Sequence, residues 1–212
     1  MNEIIPGILE KEWSEIERKL ELLRPFAKTV HIDIIDGKFV DNLTFLDPTP
    51  FKKYSEDFLL EVHMMVEEPI EYLKAWSNAG FKRFLGHIEM MSDPTEFIAQ
   101  GQLLGEVGLA LDGPTEIDVL EKINLENLDS LLIYTSEKVG FSGPELNDSR
   151  LEKIRKIRRM NKFIPIEVDG GINAESILKA RQAGANRFVS TSYLFGSQNV
   201  QDTFLKLSEK IR

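Results

Sequence analysis

Short apolar runs recur along the chain, with amphipathic segments between them. Candidate strands lie at residues 3–9 (EIIPGIL), 29–35 (TVHIDII), 58–65 (FLLEVHMM), 83–88 (RFLGHI), 107–112 (VGLALD), 130–135 (SLLIYT), 163–169 (FIPIEVD) and 187–191 (RFVST). Runs this short and this apolar suit strands buried on both faces. The intervening segments carry apolar residues at helical spacing: Trp13, Ile16, Leu20 and Leu23; Ile117, Leu120 and Ile123; Leu151, Ile154 and Ile157. Residues 173–183 predict a further helix with Asn173 as its N-cap and Gly184 as its stop, and a last helix covers about residues 200–211. Eight strands alternating with helices in 212 residues is the pattern of a compact (β/α)8 TIM barrel, although a doubly wound open sheet has the same periodicity. No Pro/Ser-rich linker or shift in composition divides the chain, so residues 1–212 read as a single barrel domain.

Composition narrows the class. Hydrophobic residues make up 42% and charged ones 29%, the balance of a globular protein. No run approaches the roughly 20 apolar residues that span a bilayer, and the N-terminal MNEIIPGILEKEW turns acidic too soon for a secretory signal. There is no cysteine, hence no disulfide framework and no thiolate chemistry. A cytoplasmic location is the expectation. A net charge of −9 argues against a nucleic-acid partner. It leaves room for a phosphorylated small molecule, which backbone N–H groups can hold without basic side chains. The basic run KIRKIRR at 153–159 alternates with Ile154 and Ile157 and reads as the solvated face of an amphipathic helix.

In a barrel, functional groups gather at the C-terminal ends of the strands. All three histidines, His31, His63 and His87, fall near such ends, as do Asp33, Asp112 and Asp169. Residues i and i+2 of a strand share a face, so His31 and Asp33 point the same way, as do Glu61 and His63. Two imidazoles and two carboxylates converging from three strands make a mixed N/O site for one divalent ion: zinc fits, and so do iron, manganese or cobalt. Glu61 reads as a carboxylate supporting a ligand rather than as a ligand. Asp169 runs into Gly170 and Gly171, where bare backbone can approach a phosphate. The loops VGFSG (139–143) and STS (190–192) follow neighbouring strands and can share it.

The segments HIDIIDGKFVDNLTF, LEVHMMVEEP, GFSG, IEVDGGIN and STSYLFG resemble, in this order and over nearly the whole chain, the ribulose-phosphate 3-epimerase family. HxDxxDGxFVxN is specific to that family. The resemblance implies a (β/α)8 barrel that interconverts D-ribulose 5-phosphate and D-xylulose 5-phosphate in the pentose phosphate pathway. It implies metal ligands at His31, Asp33, His63 and Asp169, with Asp33 and Asp169 also serving as the two acid/base groups. Substrate and phosphate contacts are expected from Gly140, Phe141, Ser142 and Gly143, from Gly170 and Gly171, and from Thr191 and Ser192. Met65 is expected as an apolar wall and Gly7 beside the substrate. A homo-oligomer is compatible with the resemblance.

The chain departs from the family pattern in the walls of this site. Gly7 stands where a serine is usual, Ile35 and Thr135 where methionines are usual, VGFSGP where PGFGGQ is common, Thr191-Ser192 where Gly-Ser is usual, and Asp112-Gly113 where Asn-Pro is usual. None of these touches the four ligands. Two alternatives therefore stay open: a 3-epimerase of another ketose phosphate, such as a hexulose 6-phosphate, and a non-catalytic sugar-phosphate-binding barrel.

Overall fold

A computed structural model of the chain describes residues 2–212. Eight parallel strands form it: β1 (Glu3–Ile8), β2 (Thr29–Ile35), β3 (Leu59–Met65), β4 (Arg83–His87), β5 (Glu106–Leu111), β6 (Ser130–Tyr134), β7 (Ile166–Asp169) and β8 (Arg187–Ser190). Each pairs with the next in sequence, and β8 pairs with β1, so the sheet closes into a barrel. Closure settles the choice that periodicity left open: this is a (β/α)8 barrel, not an open sheet.

The period-2 geometry of a strand divides each one into two faces. Ile4 and Ile8 of β1, Val30, Ile32 and Ile34 of β2, and Leu60, Val62 and Met64 of β3 point outward into the main apolar core. Helices cover that core. α1 (Trp13–Leu23) buries Ile16, Leu20 and Leu23; α4 (Leu151–Met160) buries Leu151, Ile154 and Ile157 and turns most of its basic residues outward. Between these lie α2 (Leu73–Asn78) and α3 (Pro94–Gln102), the latter capped by Asp93, which accepts from the N–H groups of Thr95 and Glu96. α5 (Ser176–Ala183), α6 (Ser192–Phe195) and α7 (Val200–Lys210) complete the outer layer, and among the described residues no helix is long and apolar enough to cross a membrane.

Two helical expectations need correction. The segment carrying Ile117, Leu120 and Ile123 forms short 3-10 turns at Ile117–Leu120 and Leu125–Asn127, not an α-helix. The β-branched Ile117, Val119 and Ile123 favour helix poorly, and the Asn124 side chain accepts from the Glu126 N–H, starting a new turn there. The helix after β7 begins at Ser176 rather than at Asn173. Asn173 still acts as a local cap, its Oδ1 accepting from Glu175 and Ser176, and Gly184 stops the helix at φ 116°.

The connection after β2 also lacks an α-helix; a 3-10 segment at Thr49–Tyr54 stands in for it. Phe51 anchors this segment, its ring meeting Trp13, Trp76 and Phe81 with centroids 5.0, 5.7 and 5.3 Å away. Because Phe51 is fully buried, Phe51→Ala is expected to cost about 3–5 kcal/mol. Urea unfolding checks this: the midpoint should fall with the slope unchanged.

Candidate functional site

The inward faces of the strands carry polar chemistry. His31 and Asp33 of β2, Glu61 and His63 of β3, His87 of β4 and Glu167 and Asp169 of β7 are all buried. The register sets the meeting, because Asp33 lies opposite His63 and His31 opposite Glu61 in the β2–β3 ladder. One potential ligand atom from each of His31, Asp33, His63 and Asp169 lies within 4.8 Å of the other three. His31 Nε2 is 3.2 Å from Asp33 Oδ1; His63 Nδ1 is 2.9 Å from that same oxygen and 3.5 Å from Asp169 Oδ2. Two imidazole nitrogens and two carboxylates at this spacing are a chemically suitable donor set for a divalent ion.

The rings are held from behind. His31 Nδ1 donates to Glu61 Oε1 at 2.5 Å, and the other Glu61 oxygen accepts from Arg83 Nη1 at 2.5 Å. His63 Nε2 lies 2.9 Å from His87 Nε2, and His87 Nδ1 lies 3.0 Å from Glu89 Oε2. The sequence reading of Glu61 as a supporting carboxylate matches this placement. Neither the His63–His87 contact nor the role of Glu89 was read from sequence. The HIE spacing at 87–89 was the available signal, but which ring His87 meets depends on the β3–β4 register.

Electrostatics follow from these contacts. Burial opposes the charge on His31, but Asp33 and the Glu167 and Glu61 carboxylates outweigh it and hold the imidazole well above its ordinary value. His63 is also raised: burial again opposes, and Asp169 and Asp33 prevail. Burial works against the Asp33 carboxylate, yet the two rings bring it down to about 2. Glu89 likewise falls to about 2 against its burial, through His87 and Thr115. Burial pushes His87 itself down, with Glu89 opposing.

Glu167, missed in the sequence, sits two residues before Asp169 on the same inward face. It lies 3.3 Å from His31 Nδ1, but that N–H is already given to Glu61, and neither Glu167 oxygen has a hydrogen bond. Burial, then the Glu61 charge, raise it above the ordinary carboxylate range. His31, Glu61 and Glu167 also converge, but Arg83 already supplies the countercharge there.

Above the donor set a pocket opens, lined by Asp33, Met65, Asp169, Gly140, Phe141, Ser142, Gly143, Gly170, Gly171, Thr191 and Ser192, together with Leu9, Tyr134, Ile172 and Val189. The predicted glycine loops therefore meet over the two carboxylates. Gly170 and Gly171 have φ of 104° and 74°, and a Cβ on Gly171 would come within 2.1 Å of the Leu146 nitrogen, so only glycine lets the 136–146 loop pack there. Gly7 is not among the lining residues: a Cβ on it would lie 2.3 Å from Thr191 Oγ1, which occupies that space. Thr135 also stands apart from the lining, because it points away from the pocket and bonds the Asp169 and Gly170 carbonyls at 3.0 and 2.6 Å. The inward residue at the end of β6 is Tyr134, whose hydroxyl donates to the Lys138 carbonyl at 3.0 Å, with the Phe141 carbonyl at 3.3 Å. Ile35 packs with Met65 and Val40 in a second apolar cluster inside the mouth.

Comparison with known proteins agrees with this architecture. The model of the Ribulose-phosphate 3 epimerase family matches residues 3–195. A cytoplasmic isoform of ribulose-phosphate 3-epimerase from Oryza sativa subsp. japonica is 30% identical, the match covering 98% of this chain and 93% of the relative. Ribulose-phosphate 3-epimerase from Bacillus subtilis is 32% identical over 94% of each. Among solved structures, a 3-hexulose-6-phosphate synthase superposes with a TM-score of 0.72 at 16% identity, covering all of both chains. The 3-keto-L-gulonate-6-phosphate decarboxylase from Vibrio cholerae gives a TM-score of 0.76 at 14% identity, over 100% of this chain and 98% of that one. At such identities these structures share the fold. The extent of the family match and the two relatives at 30% identity or more show that this chain belongs to the ribulose-phosphate 3-epimerase family of isomerases.

Proposed function

We propose that the protein is a metal-dependent epimerase that inverts C3 of a ketose phosphate, interconverting D-ribulose 5-phosphate and D-xylulose 5-phosphate. One observation carries this reading: two buried carboxylates, Asp33 and Asp169, cluster with two imidazoles and themselves open into one pocket that the glycine loops also line. In this reading the enzyme acts in the cytoplasm in carbohydrate metabolism, and the rice relative carries that location in its name.

Inverting C3 means removing a proton beside a ketone and returning one to the opposite face. A single base cannot reach both faces of the planar enediolate between the two steps, so two groups are needed. Asp33 and Asp169 fill these roles, and the two rings keep Asp33 ionised, the form that can take a proton. His31, Asp33, His63 and Asp169 would hold the ion. When bound, the ion supplies positive charge that stabilises the oxyanion developing beside the reacting carbon. Met65 lines the pocket beside the two carboxylates, an apolar wall that would exclude water from the intermediate, and Ile35 packs behind it. The backbone N–H groups around Gly143, Gly171 and Ser192 suit the phosphate, a mode that fits a chain with a net charge of −9.

Incubation with D-ribulose 5-phosphate in D₂O tests the reading: xylulose 5-phosphate and deuterium at C3 should appear together. Exchange with a hexulose 6-phosphate and not with the pentulose would move the substrate to six carbons; exchange with neither would refute catalysis. Asp169→Asn should lower kcat by about 10²–10⁴-fold, the worth of a positioned acid/base group, with circular dichroism unchanged. Near-normal turnover would remove Asp169 from its role.

Chelation should abolish turnover, and a divalent ion should restore it. Both ligand imidazoles hold protons more tightly than a free histidine, and the ion must displace them. Metal affinity should therefore rise with pH through and beyond the ordinary histidine value of 6.5. A calorimetric titration showing no proton release would contradict this.

A further inference from the structure

We propose that Glu89, acting through His87, decides which ring nitrogen of His63 is free to bind metal; both are positioning residues. The consequence for metal rests on the metal-centre reading above, whereas the proton arrangement is a property of the protein alone.

The chain starts at a carboxylate with no freedom. Glu89 Oε1 accepts from the Asp112 backbone N–H at 2.8 Å and from the Thr115 hydroxyl at 2.5 Å, so Oε2 is left for His87 Nδ1 at 3.0 Å. An ionised carboxylate only accepts, hence neutral His87 carries its proton on Nδ1 and presents a lone pair from Nε2. That lone pair faces His63 Nε2 at 2.9 Å. Two ring nitrogens at this distance need one N–H and one lone pair, so His63 keeps a proton on Nε2. His63 Nδ1, aimed at Asp33 and Asp169, is then the nitrogen whose proton an ion displaces. His87 is fully buried, with Phe39 packed on its ring at 4.7 Å.

Glu89→Gln reverses the chain without changing its shape. The Asp112 N–H cannot accept, so the amide oxygen must take the Oε1 position. The amide NH₂ then faces His87 Nδ1, which becomes an acceptor and moves the His87 proton to Nε2. His63 Nε2 must now accept, so the proton His63 keeps is the one on Nδ1, the nitrogen a metal needs. His31 is spared, since Glu61 holds it directly.

The test titrates the metal-free full-length protein with cobalt(II), following its visible absorption, and reads the tautomer of neutral His87 from ring ¹⁵N shifts. Glu89→Gln should weaken cobalt binding about tenfold or more, the range for partners behind a metal ligand, and should move the His87 proton from Nδ1 to Nε2. His87→Leu should also weaken binding, and adding Glu89→Gln to it should cost nothing further. His87→Gln should keep binding close to wild type, because its amide accepts from His63 and donates to Glu89. Unchanged cobalt affinity in Glu89→Gln, or a full further loss in the His87→Leu background, would overturn the proposal. Should Glu89→Gln fail to fold, equal losses in His87→Gln and His87→Leu would overturn it. Absence of cobalt uptake by the unaltered protein would refute the metal-centre reading, and the nitrogen shifts would still decide the proton chain.

Discussion

Everything at the mouth of this barrel depends on charges buried inside it having partners. A carboxylate or guanidinium removed from water costs several kcal/mol unless it is paired and hydrogen-bonded. Glu61 is the hinge of the arrangement: fully buried, it accepts from His31 on one oxygen and from Arg83 on the other, and Arg83 in turn reaches Glu106 at 2.6 Å. The floor of ion pairs therefore does two jobs. It satisfies the interior, and it fixes the face that His31 turns toward Asp33. The alternation that sends Ile32 outward into the apolar core sends His31 and Asp33 inward, so a slip of one residue in β2 would destroy core and site together.

The rigid floor carries loops that are tied to the strand ends and to one another. The Thr44 hydroxyl accepts from the Ile35 N–H and donates to the Asp33 carbonyl, stitching the loop after β2 to the strand end. Asn42 reaches from the same loop to the Gly140 carbonyl at 2.8 Å, and Tyr134 holds the 138–141 segment from below. The pocket roof is thus fastened by side chains donating to backbone. This leaves the backbone N–H groups of the glycine segments available to a ligand.

How much of this the sequence disclosed depended on how local the signal was. Period-2 alternation exposed the inward faces of β2 and β3, and with them His31, Asp33 and His63; Asp169 stood out by its place at a strand end before two glycines. The 3.6-residue period likewise exposed α1 and α4. It overstated the segment around Ile117, because β-branched residues and the Asn124 turn compete with helix there. Contacts across strands were not legible. His87 was noticed only as a histidine near a strand end, and Glu167 and Tyr134 passed unnoticed, although each sits two residues from an inward-facing neighbour. Their roles depend on barrel closure and register, which a single sequence does not display.

The departures from the family pattern also change meaning once positions are known. Gly7 lies in β1 without a positive φ, so its backbone does not call for glycine. What excludes a side chain is Thr191, whose Oγ1 lies 2.3 Å from where a Cβ on Gly7 would stand. A side chain at position 7 and the Thr191 side chain therefore exclude one another, and the hydroxyl on this wall is the one after β8. That hydroxyl caps nothing in α6 and borders the pocket, so it is available to a ligand. A bare residue beside a larger one keeps interior packing near its tight native density while setting the surface a ligand meets. The four donor side chains are held more tightly, because Asp33 meets both rings, His63 also faces Asp169, and His31 is bonded to the Glu61–Arg83 pair beneath. Chemistry and the surface a ligand meets are thereby separated by depth: the floor is tied by pairing of charged and polar groups, and the walls above it are set by packing between adjacent strands.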